Sequence, residues 1–281
     1  MSMKLPKKPV QRVHDLAHTR VLLYSRSNRF GKTKTVSQIP KCLLILTEDG
    51  ADYYETFNVR INTWVEFVEI IKSLKEDKQG FETVAIDTID GLAALCRDHW
   101  MGRNPGMAIS DNWHRGAGEV EEGFRARLEQ LGSLGLGVWM LGRAQDISKD
   151  NEPSRLELKM PRALSRCRDT VQNFAHTILF ADINNGTRVL YADELGSFVA
   201  GDRSERLPGR IELRGKNENY KIIKEHYESN RDASRNSGRT SKGKQVGNLE
   251  SGELHSKDNG NARRKKRTVR QMGVDPVQGV E

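Results

Sequence analysis

Gly31-Lys32-Thr33 is the segment whose residue types point most directly to chemistry. A glycine, a lysine and a hydroxyl in that order suit a polyphosphate. The amine reaches the β- and γ-phosphates, the hydroxyl ligates Mg²⁺, and backbone N–H groups close around the phosphate oxygens. Lys32 and Thr33 fill the first two roles, and Ser27, Asn28, Arg29, Phe30, Gly31 and Lys34 complete the loop expected to hold the nucleotide. The helix opened by Lys32 adds the positive end of its dipole. The full pattern, G-x-x-x-x-G-K-[ST], is incomplete, because its first glycine falls at Arg26 and no glycine lies between Tyr24 and Gly31. The loop must curl without that freedom, and Asn28 is the residue best able to take a positive φ. Asp87 ends the apolar run Thr83–Asp87 and precedes Thr88. A carboxylate there can hold the water shell of the same Mg²⁺. ATP and Mg²⁺ are therefore the expected ligands, with Thr33 and Asp87 on the metal side.

These residues need strands and helices to bring them together. Val21–Tyr24 reads as a strand leading into the phosphate loop, and a short helix runs from Thr33 toward Gln38, stopped by Pro40. Cys42–Leu46 is a second buried strand, closed by the polar turn Thr47-Glu48-Asp49-Gly50. Trp64, Val65, Phe67, Val68, Ile71 and Leu74 fall at helical spacing, giving an amphipathic helix that ends before Gly80. Thr83–Asp87 is a third strand. Gly91–Trp100 and Glu119–Leu134 read as helices, separated by a Gly/Pro/Asn-rich loop over Gly102–Asn112, and Gly137–Leu141 as a fourth strand. Ala175–Phe180 and Arg188–Tyr191 read as later strands, paired in a hairpin through Asn184-Asn185-Gly186. Strands alternating with helices predict an α/β fold, a mostly parallel sheet covered on both faces.

Composition narrows the class. The 281 residues are 36% hydrophobic and 30% charged, with a mean hydropathy of −0.68. No apolar run approaches the roughly 20 residues of a membrane helix. No apolar segment follows the basic stretch Met1–Val10, so no secretory signal and no membrane partner are expected, and the location is predicted to be cytoplasmic. Three widely spaced cysteines (Cys42, Cys96, Cys167) argue against a disulfide framework or a structural zinc site. Of the net charge of +8, Ser229–Glu281 carries twelve basic against six acidic residues, with no aromatic residue. That composition predicts a disordered basic tail over 229–281 beyond one domain over 10–228. Arg263-Arg264-Lys265-Lys266-Arg267 is an electrostatic handle for nucleic acid or, on the blander reading, a solubilising run.

The motifs together are similar to those of phage-encoded, RecA-like ATP-binding proteins that consist of a RecA core alone and act in recombination and single-strand annealing. The resemblance covers about Arg20 to Leu213 and rests on Gly31-Lys32-Thr33, Leu46–Gly50, Val84–Thr88, Met140–Gln145 and Gly201–Pro208. It implies a RecA-like P-loop core and, given a phage origin, the host cytoplasm. It makes Glu48 the carboxylate that orients or deprotonates the attacking water, with Asp49 as the fallback. It makes Gln145 an amide that contacts the γ-phosphate and passes the nucleotide state to a DNA-binding loop. Arg203 and Arg206 become arginine fingers acting across a subunit interface. Implied partners are single-stranded DNA and further copies of the chain in a filament or ring. The tail would meet DNA or another protein, such as a single-strand-binding protein.

Lys149, Arg155, Lys159, Arg162, Arg166 and Arg168 follow Gln145 and would track a phosphate backbone or form a solvated face. Trp100 and Trp113 flank the Gly102–Asn112 loop, as base-stacking groups or as anchors to the core. Two other readings stay open: a non-hydrolysing single-strand DNA-binding protein with a degenerate P-loop, favoured by Arg26, and a phage replication ATPase, either a helicase or its loader. His14/His18 and Cys96/His99 share helical spacing, but neither pair has a third ligand nearby, which argues against a metal centre there.

Overall fold

The computed structural model describes residues 15–148, 154–214 and 217–230, and the side chains of 111–114 and 162 are not considered. Lys149, His14, the first five residues of the expected domain and, past Asn230, the expected basic tail with Arg263–Arg267 lie outside the described residues.

The strands are β1 (Arg20–Ser25), β2 (Cys42–Leu46), β3 (Phe57–Arg60), β4 (Thr83–Asp87), β5 (Gly137–Ile147), β6 (Arg155–Leu158), β7 (Thr177–Asn184), β8 (Thr187–Tyr191), β9 (Gly201–Asp202) and β10 (Arg210–Leu213). The helices are α1 (Lys32–Val36), α2 (Trp64–Glu76), α3 (Ile89–Arg103), α4 (Asp111–Ser133), α5 (Ser165–Phe174) and α6 (Asn219–Ser229). One sheet runs in the order β10-β8-β7-β1-β5-β4-β2-β3, with β6 added to β5 and β9 to β7. The strands from β7 to β3 along that order are parallel, and β6, β8, β9 and β10 pair antiparallel. This is the α/β architecture expected from the sequence, a mostly parallel sheet with helices on both faces.

Period-two alternation explains the two cores. Leu22 and Tyr24, Ile45, Val84 and Ile86, and Val138 and Met140 point to one face, where α2–α5 pack. Val21 and Leu23, Leu44 and Leu46, Ala85, and Trp139 and Leu141 point to the other, toward α1 and α6. Strands buried on both sides must read as continuous apolar runs, which is why β2 and β4 are legible to the residue. A capping box starts α2: Thr63 Oγ1 accepts from Glu66 N at 3.3 Å, and Glu66 Oε2 accepts from Thr63 N at 3.0 Å.

The register sets the site. Ser25 of β1 is level with Arg143 of β5, Leu141 of β5 with Asp87 of β4, and Asp87 with Leu46 of β2. The carboxyl ends of four adjacent parallel strands therefore open onto one edge, the usual place for a ligand in an open α/β sheet.

Some boundaries differ from expectation. β5 continues six residues past Leu141 because its distal half pairs with β6 (Ala144↔Leu158 to Ile147↔Arg155). α4 begins at Asp111 rather than Glu119. Cys42, Cys96 and Cys167 are buried free thiols, which burial pushes up to about 12. Among the described residues no helix is long and apolar enough to cross a membrane.

Candidate active site

The phosphate loop forms without its first glycine by a different route. After Ser25 the chain makes a single 3-10 turn over Asn28–Phe30, capped by Ser27, whose Oγ accepts from Arg29 N at 3.2 Å. Asn28 thus takes no left-handed conformation; Gly31 does, with φ 97°, immediately before α1. Phe30 is fully buried in the core and anchors the loop from beneath instead of facing a ligand. Arg26, in the place of the missing glycine, turns outward to Asp146 at 3.3 Å. α1 has only five residues, so little dipole stands behind the loop. α6 steadies α1 from outside through Asn219 Nδ2, which donates to Thr35 Oγ1 at 3.0 Å.

Lys32 is 7% exposed, and its Nζ donates to Ser25 Oγ at 2.8 Å. Thr33 Oγ1 donates to Asp87 Oδ2 at 2.6 Å. The sequence separates those two residues by 54 positions; the parallel pairing of β4 with β5 and of β5 with β1 brings them together. Burial pushes the Lys32 amine down from its ordinary value, against the pull of Asp87. Burial likewise pushes the Asp87 carboxyl up, opposed by the Thr33 hydrogen bond and by Lys32. Each charge is thus held at a desolvation cost, the arrangement expected where a charged ligand completes the site.

Glu48 follows β2, and Thr47 fixes its approach. Thr47 N donates to Asp87 O at 2.8 Å, Thr88 N donates to Thr47 Oγ1 at 2.9 Å, and Thr47 Oγ1 donates to Thr88 O at 3.1 Å. Glu48 forms an ion pair with Arg143, whose other guanidinium nitrogen lies 3.7 Å from Asp90 Oδ2. Asp90 is 9% exposed, burial raises its carboxyl, and its Oδ1 has no hydrogen-bond partner.

Asn28, Arg29, Gly31, Lys32, Thr33, Lys34, Glu48 and Asp87 line one cavity of about 470 Å³, joined by Asp49, Arg143 and Arg188. That volume lies in the range of small-ligand sites. A larger cavity, about 570 Å³, lies among α2, α3 and α4, where Trp100 Nε1 donates to Glu119 at 2.9 Å; it holds no comparable set of groups. The donors fit Mg²⁺ and a nucleotide: a hydroxyl and a carboxylate in contact, beside a buried amine and a left-handed glycine. Among the described residues no group of three or more His, Cys, Asp or Glu stands ready for a metal, so water and phosphate oxygens would complete a Mg²⁺ shell begun by Thr33 and Asp87.

Of the expected loop residues, Ser27 caps the turn and Phe30 is buried in the core, so neither lines the cavity, and three further expected residues lie elsewhere. Gln145 sits within β5, opposite Glu157 of β6, rather than at a strand end, because β6 prolongs the pairing; Arg143 takes the place at the cavity. Arg203 and Arg206 follow β9, which pairs with the first residues of β7, at the end of the sheet opposite the phosphate loop. Arg203 Nη2 donates to Asn173 O at 3.3 Å, and the Arg206 guanidinium lies over the Tyr227 ring at 5.0 Å. Of the basic residues after Gln145, Arg155 is paired with Glu194 and Arg168 with Glu157 at 2.8 Å, while Lys159 and Arg166 are exposed. Ser25, Arg143 and Arg188 are the site residues that sequence reasoning missed. Arg143 carried a weak signal, two residues past an apolar strand, and Arg188 none.

A family model described as an AAA domain matches residues 17–204, a span that contains the whole cavity. No curated protein matches the chain. Among solved structures, one titled as the crystal structure of the RadB recombinase is similar, with a TM-score of 0.44 and 15% sequence identity over 72% of this chain and 89% of that one. With Lys32, Thr33 and Asp87 assembled at the strand ends and the match running through most of the sequence, the chain belongs to the AAA domain family of P-loop NTPases.

Proposed function

We propose that this protein binds and hydrolyses ATP, as Mg·ATP, and acts on single-stranded DNA in recombination or strand annealing. The observation that carries the nucleotide reading is the Thr33–Asp87 contact of 2.6 Å in one cavity with buried Lys32 and with Glu48. Lys32 and the amides around Gly31 hold the phosphates, and Thr33 and Asp87 hold the metal. Bound Mg²⁺ supplies neutralisation of phosphate charge. Glu48 positions and deprotonates water. Its ion pair with Arg143 must first loosen, and a terminal phosphate in the cavity competes with Glu48 for that guanidinium, so ligand entry itself frees the base. Gln145, two residues beyond Arg143, relays the nucleotide state along the β5–β6 pair toward the segment carrying Lys159 and Arg166. Arg203 and Arg206 lie too far round the sheet to serve their own cavity, so any finger role for them requires a neighbouring copy. The DNA reading draws its support from the exposed cations and from the resemblance of the motifs.

A second reading follows from the Glu48–Arg143 pair and the missing first glycine: a protein that binds DNA over a nucleotide site without turnover. Steady-state ATP hydrolysis with and without single-stranded DNA separates the two. Turnover that rises with DNA supports the motor, and DNA binding with no turnover selects the silent site.

A further inference from the structure

We infer that Arg188 binds the nucleotide's phosphates in cis, supplying from the β7–β8 hairpin part of the grip that the incomplete glycine pattern withholds. The inference rests on the nucleotide reading of the cavity. The hairpin turns at Asn185 (φ 49°) and Gly186 (φ 78°), both left-handed as a two-residue turn requires. β7 runs parallel to β1 with Ala181 level with Ser25, and Arg188 pairs with Ile183, two residues further along. At about 3.3 Å per residue, this carries Arg188 roughly 7 Å past the end of β1, to the height of the phosphate loop. There its guanidinium lines the cavity of Lys32 and Thr33, and its Nη1 lies 3.7 Å from the point where a side chain on Gly31 would begin.

The charge of Arg188 is unanswered among the described residues. The three carboxylates that line the cavity are engaged elsewhere: Asp87 with Thr33, Glu48 with Arg143, Asp49 with Arg60. Arg188 is half-buried and forms no ion pair with any described residue. A half-buried guanidinium facing a left-handed glycine, with no counter-ion, is placed to meet an anion, and its planar fork matches two phosphate oxygens. Arg29 and Lys34 also face the cavity, but they belong to the loop and helix of the motif itself. Arg188 comes from a different element and ties the hairpin to the ligand.

The test is calorimetric titration of the full-length chain with Mg·ATP, Mg·ADP, AMP and inorganic tripolyphosphate, comparing wild type with Arg188→Ala, Arg188→Lys and the exposed Arg210→Ala as control. Expected is a loss of about 10- to 100-fold for Mg·ATP and for tripolyphosphate in Arg188→Ala. Affinity for AMP should be unchanged, Arg188→Lys should recover part of the loss, and Arg210→Ala should match wild type. Unaltered Mg·ATP affinity in Arg188→Ala, while wild type binds, overturns the Arg188 assignment and leaves the nucleotide reading standing. A loss for AMP with none for tripolyphosphate places the guanidinium on the nucleoside and overturns the phosphate assignment. Absence of nucleotide binding in wild type overturns both the reading and the inference.

Discussion

Lys32 and Asp87 are charges held in a partly dry place, each with its preferred state shifted against itself. For Asp87 burial raises the folded carboxyl from the range it has when exposed. Its contribution to stability is complete below that range and is lost as pH rises through the raised value. Ionising that carboxyl carries a desolvation cost that bound Mg²⁺ would offset. Lys32, pushed down, loses its proton at a lower pH than a free lysine, whose pKa is about 10.4. Mg·ATP affinity should therefore fall on the alkaline side earlier than a free lysine would dictate. Lys32→Arg, which keeps its charge there, should flatten that limb in a pH series of titrations. Glu48→Gln separates binding from chemistry. Steady-state turnover should drop at least about 100-fold, the usual scale of general-base loss, with Mg·ATP affinity retained or raised because Arg143 is released to the phosphates.

At the scale of elements, two glycines of opposite consequence test the packing that carries the site. A Cβ on Gly137, the first residue of β5, would fall on Ala17 O, so the start of the strand that delivers Arg143 has no room for a side chain. Gly137→Ala should destabilise by about 1–3 kcal/mol in denaturant unfolding. Gly123 lies mid-helix in α4 with nothing near its missing Cβ. Gly123→Ala should stabilise by about 0.5–1 kcal/mol through helix propensity and unfolded-state entropy.

The same elements show what the sequence makes legible. β2 and β4 stand out because burial on both faces demands unbroken apolar runs. β3, β6 and β10 have four residues each, interleaved with charges, and only their neighbours identify them as strands. α5 does carry a helical signal, with Cys167, Val171 and Phe174 buried at i, i+4 and i+7. Lys32, Thr33 and Asp87 could be found from motif and strand-end position, and Glu48 from the family resemblance. Arg143 depends on β5 continuing past its apolar half, which β6 enforces from a distance, and Arg188 depends on the register of a hairpin against β1. Non-local pairing leaves no mark in the local sequence.

For the whole molecule, charge is unevenly spread. The net +8 sits mainly beyond residue 228, and Arg263–Arg267 concentrates five cations. If that run meets single-stranded DNA, replacing all five with glutamine should lower affinity and flatten its salt dependence. The slope of log K against log salt should fall by up to about 3.5, at about 0.7 per phosphate contact. Mg·ATP affinity without DNA should not change, since every cavity residue lies within the family-matched span 17–204. An unchanged slope would assign the run to a protein partner or to solubility.

The central claim is that the cavity at the strand ends receives Mg·ATP through Lys32, Thr33 and Asp87. Direct titration of wild type, Lys32→Ala and Asp87→Ala with ATP, each with and without Mg²⁺, addresses it most directly. The account predicts Mg²⁺-dependent binding by wild type, a loss of about 10- to 100-fold in Lys32→Ala, and loss of the Mg²⁺ dependence in Asp87→Ala, with all three chains equally folded by circular dichroism. Nucleotide binding that is indifferent to both substitutions, or no binding by the folded wild type, would contradict it.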